Sequence, residues 1–222
     1  GERMRRRRRS TVGEKMTAAL IVVDIQNDFL PGGALAVPRG DETVAIANRL
    51  MPLFSTVVLT ADWHPADHSS FASQHTGKSP YDVVPMPYGN QVLWPDHCVA
   101  GTTGADFAAG LETVRAHAVI RKGTDKNCDS YSGFLAADRK TPTGLAGYLK
   151  SRGVTTVFVC GLATDFCVAW TAQDAAAAGF KTYLIEDASR AIDAGGSLAA
   201  AMAGLKTAGV GVIEKKDVPG LL

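Results

Sequence analysis

The feature that most constrains the fold is a series of short apolar runs that alternate with segments of helical periodicity. Six runs rich in valine, isoleucine and leucine occupy residues 19–24, 56–62, 117–123, 155–161, 180–187 and 209–215. Nearly continuous apolar runs are typical of parallel strands that are covered on both faces. Strands that alternate with helices are connected by right-handed crossovers. We therefore predict a single three-layer α/β domain with a doubly wound, six-stranded parallel sheet.

Apolar residues at helical spacing predict two of the helices. They are Val44, Ala47, Leu50 and Phe54 in one segment and Leu198, Met202 and Leu205 in another. Pro52 leaves the end of the first helix open, because proline breaks the hydrogen bonding of a helix interior. Three helix ends are marked by a glycine just before the next strand, where a left-handed residue is expected, at Gly153, Gly179 and Gly209.

The composition is typical of a soluble globular protein. Of 222 residues, 46% are hydrophobic and 20% are charged, and no apolar run approaches the roughly 20 residues that span a bilayer. The first residues lack the apolar segment of a signal peptide. The four cysteines form no C-x-x-C pair, which favours free thiols in a reducing compartment. We expect a cytoplasmic protein with no membrane partner.

The beginning of the chain has a different character. Residues 1–15 carry a net charge of +5, mostly from Arg5 to Arg9, which leaves −4 for the rest of the chain. A basic run can bind nucleic acid, but this one is short and contains no aromatic residue. We interpret residues 1–16 as a disordered basic extension or a cloning remnant, and residues 17–222 as the folded domain. No nucleic-acid partner is expected.

The alternation of strands and helices is interrupted between Asp62 and Gly104. Some forty residues rich in proline, histidine, serine, glycine and tryptophan fill this interval. Loops of this length are usually functional or disordered, and Tyr81, Tyr88 and Trp94 argue against disorder. We interpret the segment as one that builds a site.

Reactive side chains follow four of the predicted strands. Asp24, Asp62 and Lys122 close the first three runs, and Cys167 follows the fourth. Ligands of open parallel sheets bind beyond the carboxyl ends of the strands. Taken singly, each residue has a structural explanation as a cap, a loop brace or a buried filler. Together they supply a general base, a cation that stabilises anions, and a nucleophile.

Cys167 has a further local argument. If Thr164 or Asp165 caps the following helix, the thiol lies in the first turn, where the helix dipole and free N–H groups lower a cysteine pKa. The same N–H groups, with that of Ala163, would form an oxyanion hole.

The interrupting segment also contains metal-ligand types. Asp62 and His64 lie two residues apart in "ADWHPADH", and His97 follows in "WPDHC". Carboxylate and imidazole suit zinc, iron or manganese, but spacing alone leaves metal binding open. His68 and His75 are interpreted as surface residues or as supports behind the ligands.

Five stretches in this order resemble the nicotinamidases (pyrazinamidases) of the isochorismatase-like cysteine hydrolases. They are "VVDIQNDFLPGGALAV", "ADWHPADHSSF", "WPDHCV", "RKGTDKNCDSYSGF" and "GLATDFCV". The resemblance covers residues 19 to about 215 and implies the isochorismatase-like hydrolase fold. It implies a catalytic triad and a site for one divalent ion (Zn, Fe or Mn). The triad is Asp24, Lys122 and Cys167, and the metal ligands are Asp62, His64 and His97.

The resemblance has further implications for the site. It implies a cis peptide between Leu162 and Ala163 that turns the backbone N–H groups of Ala163 and Cys167 towards the oxyanion. It implies a ring pocket lined by Phe29, Leu35, Trp94 and Tyr131. Members of this family differ after the D-W-H motif, where His68 and Ser70 are the local candidates for an approach to the metal.

The implied reaction is hydrolysis of nicotinamide to nicotinate and ammonia through a cysteine thioester, with pyrazinamide as a related substrate and NAD salvage as the pathway. An alternative is another cysteine amidohydrolase of the superfamily that acts on ureido or carbamoyl compounds. A non-catalytic metal- or nicotinamide-binding protein is a rival from a different class. A homo-oligomer is compatible with the sequence.

Overall fold

The computed structural model describes residues 17–222, so the prediction for residues 1–16 lies outside the described chain. The strands are β1 (Thr17–Val23), β2 (Thr56–Asp62), β3 (Val83–Met86), β4 (Gly89–Val92), β5 (Ala118–Lys122), β6 (Val154–Leu162), β7 (Lys181–Arg190) and β8 (Gly211–Ile213). The α-helices are α1 (Glu42–Leu50), α2 (Leu145–Ser151), α3 (Ala169–Ala177), α4 (Ser197–Thr207) and α5 (Val218–Leu221).

Six strands form one parallel sheet in the order β5-β2-β1-β6-β7-β8. All six predicted strands are confirmed, although β7 extends to Arg190 and β8 is shorter than predicted. In the β2–β5 register, Asp62 lies opposite Lys122. The sheet therefore brings two of the predicted reactive residues side by side at its carboxyl edge.

Alternate residues of the central strands enter two separate cores. Ala19, Ile21 and Val23 of β1 pack towards α2, α3 and α4. Leu20 and Val22 face the opposite way, towards α1 and α5. Because both faces of β1 are buried, the strand reads as a continuous apolar run, and the three-layer prediction is confirmed.

The helix boundaries follow local chemistry. Helix α1 ends at Leu50 and continues as a 3-10 turn over Met51–Leu53, which contains Pro52. The glycines predicted to end helices all have positive φ, as a left-handed position after a helix requires: 73°, 96° and 78° at Gly153, Gly179 and Gly209. No helix within residues 17–222 combines the length and the apolar character needed to cross a bilayer.

The segment between β2 and β5 is ordered and returns to the sheet edge. It contains the antiparallel hairpin β3–β4. Isolated bridges join His64 to Val99 and Phe71 to Trp94. These bridges hold the beginning of the segment against its later part. His64, Trp94 and His97 therefore lie close together beyond the carboxyl end of β2.

Candidate active site

The predicted catalytic residues meet beyond the carboxyl ends of β1, β5 and β6. The strand order reverses at the β1–β6 pair, which is where open α/β sheets form a ligand crevice. Asp24 directly follows β1 with a left-handed φ of 50°. Lys122 is the last residue of β5, and Cys167 lies in a π-helical turn, Thr164–Val168, that follows β6.

Lys122 is the buried centre of this cluster. Its Nζ lies 2.7 Å from Oδ2 of Asp24 and 2.5 Å from Oδ1 of Asp62. It also donates to the carbonyl of Ser130 at 3.1 Å and lies 3.3 Å from Sγ of Cys167. Ligand atoms of Asp24, Asp62 and Cys167 fall within 4.8 Å of one another. One ammonium group therefore touches both carboxylates and the thiol.

Burial and charge set the protonation of the cluster. Burial raises the pKa of Asp24 and outweighs the opposing effect of Lys122 and of the Thr60 hydroxyl, which donates to Oδ1 at 2.6 Å. Burial alone would lower the pKa of Lys122, but the two carboxylates raise it well above its ordinary value. Burial would raise the pKa of Asp62, but Lys122 and a neighbouring histidine hold it well below the ordinary value. Asp24 is the carboxylate suited to exchange a proton.

The expected lowering of the thiol pKa by a capped helix is wrong. Burial raises the pKa of Cys167 well above its ordinary value, and Lys122 offsets only part of this effect. Neither Thr164 nor Asp165 caps a helix with its side chain, because a π-helical turn precedes α3, which begins at Ala169. The thiol therefore needs a base to become a nucleophile.

The three predicted metal ligands also converge. Oδ2 of Asp62 lies 3.4 Å from Nε2 of His64 and 3.4 Å from Nε2 of His97. Nδ1 of His64 lies 2.8 Å from the carbonyl of Gly123, and Nδ1 of His97 lies 2.8 Å from that of Pro95. Each carbonyl fixes the tautomer that leaves Nε2 free to bind a metal. Ligands about 2.0–2.1 Å from a tetrahedral ion would lie about 3.3 Å apart, so the set fits zinc.

Two contacts hold these ligands from behind. The amide of Gln26 donates to the carbonyls of Asp62 and Ala105 and accepts from the N–H of Asp62, at 2.8–2.9 Å. Gly123, with φ of +67°, passes so close to His64 that an added Cβ would lie 2.4 Å from the imidazole Cε1. The first contact needs an amide that both donates and accepts, and the second needs a residue without a Cβ.

His68 is a buried neighbour of the metal ligands and not a surface residue. Its Nδ1 accepts from the N–H of Ser70 at 3.0 Å and lies 2.8 Å from the Ser70 hydroxyl. Its Nε2, like that of His64, has no hydrogen-bond partner in the described part of the chain. Ligand atoms of His64, His68 and Asp129 lie within 4.8 Å of one another. His68 therefore approaches the ligand set, while Ser70 supports it.

A small apolar pocket lies beside the thiol and the metal ligands. Its empty space is about 320 Å³, mouth included. All four residues predicted to line a ring pocket are present: Phe29, Leu35, Trp94 and Tyr131. The Tyr131 hydroxyl accepts from Nε1 of Trp94 at 3.0 Å, which fixes both rings. The pocket is also lined by Cys167, Asp62 and His97, so it reaches both the thiol and two of the metal ligands.

Sequence reasoning missed three residues of this pocket: Asp129, Phe166 and Ile192. Asp129 lies two residues before Tyr131, and Phe166 lies directly before Cys167. Both belong to the motifs that carry the family resemblance, so their closeness to predicted site residues could have indicated them. Ile192 follows β7 at the same sheet edge and carried no chemical signal. The peptide between Leu162 and Ala163 is cis, as the resemblance implies.

Comparison with known proteins agrees with this geometry. The model of the isochorismatase domain matches residues 18–217. The chain belongs to the isochorismatase family. Among its relatives, the nicotinamidase of Acinetobacter baylyi is 54% identical over 200 residues, which are 90% of this chain and 94% of that protein.

Solved structures extend the comparison within the isochorismatase family. The nicotinamidase/pyrazinamidase of Acinetobacter baumanii has a TM-score of 0.90 and 51% identity, covering 92% of this chain and 99% of that one. The pyrazinamidase of Pyrococcus horikoshii, solved in complex with zinc, has a TM-score of 0.72 and 37% identity, covering 89% and 98%. The predicted fold is confirmed.

Proposed function

We propose that this protein is an amidohydrolase that converts nicotinamide and water to nicotinate and ammonia. The observation that carries the proposal is the contact of one buried lysine with two carboxylates and a thiol at the end of a pocket of aromatic size. The identity to the Acinetobacter baylyi nicotinamidase over nine-tenths of the chain supports it. Pyrazinamide, which has the same shape, is a second substrate.

The first half of the reaction forms a thioester. Asp24 removes the proton of Cys167, and the sulfur attacks the carboxamide carbon while the carbonyl π electrons move to oxygen. The backbone N–H groups of Ala163 and Cys167 stabilise the oxyanion. As the C–N bond breaks, Asp24 returns its proton to the nitrogen, and ammonia leaves. The raised pKa of Asp24 suits both transfers.

The second half hydrolyses the thioester. Asp24 takes a proton from a water molecule, the oxygen attacks the acyl carbon, and the C–S bond breaks. The thiolate takes back the proton from Asp24, and nicotinic acid leaves and loses its carboxyl proton to solvent to give nicotinate. Lys122 stabilises the negative charge that moves between Asp24 and Cys167 during both halves, since its Nζ contacts both groups.

Asp62, His64 and His97 would hold one divalent ion, for which zinc is our proposal and iron and manganese are chemically compatible. The 3.4 Å separations and the zinc complex of the Pyrococcus horikoshii pyrazinamidase support this assignment. So does the Nε2 of His64, which has no hydrogen bond within residues 17–222. When bound, the ion supplies a Lewis-acidic site for the ring nitrogen. Phe29, Leu35, Trp94 and Tyr131 enclose the ring and exclude water.

The test is ammonia release from nicotinamide by the zinc-loaded protein, beside Cys167→Ala and a control, Cys160→Ala. Cys160 is buried in the core on the opposite face of the sheet and does not line the pocket. Release that is lost only in Cys167→Ala supports the proposal. A folded, zinc-loaded wild type that releases ammonia only from ureido or carbamoyl compounds would instead favour the alternative amidase.

The cellular setting stays a prediction. The sequence predicts a cytoplasmic location and no nucleic-acid binding, the family resemblance implies a role in NAD salvage, and a homo-oligomer is compatible with both. Fractionation of the source cells and the mass of the purified protein in solution would test the location and the oligomeric state.

A further inference from the structure

A buried carboxylate next to the nucleophile carries a second set of contacts. Oδ1 of Asp165 accepts from the N–H of Ile192 at 3.0 Å. Its Oδ2 accepts from the N–H of Asp193 at 2.7 Å and from the hydroxyl of Ser197 at 2.5 Å. The three donors lie in or directly after residues 191–196, which connect β7 to α4 and are called the wall loop below.

Asp165 belongs to the turn that presents Cys167. Within this turn, the carbonyl of Ala163 accepts from the N–H groups of Phe166 and Val168 at 3.2 and 3.1 Å. These hydrogen bonds hold the turn together and fix the backbone position of Asp165. Ile192, whose N–H donates to the Asp165 carboxylate, lines the same pocket as Cys167. One carboxylate thus joins the nucleophile turn to the wall loop, which contributes Ile192 to the pocket.

The wall loop has a backbone conformation that needs such an anchor. Three of its residues have left-handed φ values: 52° at Asp193, 59° at Gly195 and 82° at Gly196. This conformation is uncommon for non-glycine residues, although aspartate adopts it more readily than most, so contacts that hold Asp193 in place stabilise the loop. The N–H groups of Ile192 and Asp193 donate to the Asp165 carboxylate and not to backbone carbonyls. These bonds are charge-assisted and therefore stronger than neutral ones.

We infer that Asp165 is a positioning residue that sets the size selectivity of the pocket by holding Ile192 against the bound ring. This inference rests on the proposed function for its substrate class, which is unsubstituted heteroaromatic carboxamides. Without the carboxylate, the wall loop releases Ile192, the pocket widens, and carboxamides with an added ring substituent are admitted. Asp165 does not touch the substrate, so it acts through Ile192.

The experiment compares kcat/KM for nicotinamide with kcat/KM for ring-methylated nicotinamides in Asp165→Asn, Ile192→Ala and the double variant. The asparagine amide places a donor where Oδ2 accepts the N–H of Asp193. We expect the preference for nicotinamide to fall about tenfold or more in each single variant, the scale of one methyl group in a tight pocket. The double variant should show no further fall, because both changes remove the same wall.

Asp138→Asn is the matched control. Asp138 also accepts two backbone N–H groups and one hydroxyl, from Lys140 at 2.9 Å and from Thr141 at 3.0 and 2.6 Å, but it lies in an exposed turn outside the pocket. The preference of Asp138→Asn for nicotinamide over the methylated compounds should equal that of the wild type. If Asp165 only stabilises the fold, Asp165→Asn would lower the active fraction equally for both substrates. The ratio of kcat/KM for nicotinamide to that for the methylated compounds would then stay unchanged, which would overturn the inference.

A readout without turnover separates this inference from the proposed function. The rate of Cys167 alkylation by iodoacetamide is compared with that by an N-benzyl iodoacetamide, with the modified peptide measured by mass spectrometry. Asp165→Asn and Ile192→Ala should raise the relative rate of the bulky reagent, even if the wild type proves inactive on nicotinamide. If Asp165→Asn does not fold, Ser197→Ala removes one of the three donors and should shift both ratios in the same direction. Unchanged ratios in Ser197→Ala and Ile192→Ala would overturn the inference.

Discussion

Lys122→Met is the perturbation that tests the electrostatic design of the site most directly. Methionine has nearly the same length and fits a buried apolar environment, but it removes the charge. The variant leaves the carboxylates of Asp24 and Asp62 buried without the cation that lies 2.7 and 2.5 Å from them. Sγ of Cys167, 3.3 Å from the ammonium, loses the same charge.

The size of the effect follows from these distances. Two opposite charges about 4 Å apart interact by about 4 kcal/mol at an effective dielectric constant of 20. Loss of this interaction raises a carboxyl pKa by about 3 units at 1.36 kcal/mol per unit. The pKa of Asp24 is already raised by burial, so this loss raises it further. Asp24 must be ionised to accept a proton, so the acid limb of the pH–rate profile moves to higher pH.

The assay is the pH dependence of kcat/KM for ammonia release, beside Lys206→Met as a control for an exposed lysine on α4. At pH 7 we expect Lys122→Met to lose at least about a hundredfold in kcat/KM, with partial recovery as the pH rises. Breaking a buried ion pair also costs about 3–5 kcal/mol of unfolding free energy, measurable by denaturant titration. An acid limb at the wild-type position in a folded variant would refute the reasoning.

Four other perturbations test the site. Cys167→Ala should abolish turnover but keep nicotinate binding by calorimetry, and retained turnover would remove the cysteine from the mechanism. Gly123→Ala should weaken zinc affinity at least about tenfold, because the added Cβ displaces the imidazole of His64, and an unchanged affinity by competition with a chelator would contradict this. Gln26→Glu should destabilise the fold by about 2–4 kcal/mol and weaken zinc binding, since it sets a carboxylate against the carbonyl of Asp62. Wild-type stability of this variant in denaturant would show that the Gln26 amide does not support Asp62. Without metal, the charge of Asp62 outweighs burial and raises the pKa of His64 to about 9. Zinc affinity should therefore increase from pH 6.5 to 9, and zinc binding at pH 7 should release a proton. A zinc affinity that does not change with pH would disprove this.

The strands could be predicted because their physics is local. Residues of β1 are buried on both faces, and a continuous apolar run is the direct result. Once the strands are placed, sheet geometry alone brings Asp24, Asp62 and Lys122 to one edge. The sequence therefore predicted this cluster without any knowledge of its distances.

Other features depend on contacts that sequence spacing does not contain. Asp165 looks like a helix cap, but its carboxylate accepts from backbone N–H groups 27 and 28 residues away and from a serine hydroxyl 32 residues away. Cys167 lies near a helix start, yet burial governs its pKa, and burial is a property of the packed molecule. Ile192 has no reactive group, so only its position beyond β7 assigns it to the pocket.

The charge balance of the site links its two halves. Asp62 presents Oδ1 to Lys122 and Oδ2 to His64 and His97, so one carboxylate belongs to both the catalytic and the metal-binding groups. Two buried carboxylates facing one lysine leave a negative charge that a buried site does not tolerate without compensation. A divalent ion would supply that compensation. In its absence, the raised pKa of His64 favours a protonated imidazole, which would supply part of that positive charge beside Asp62.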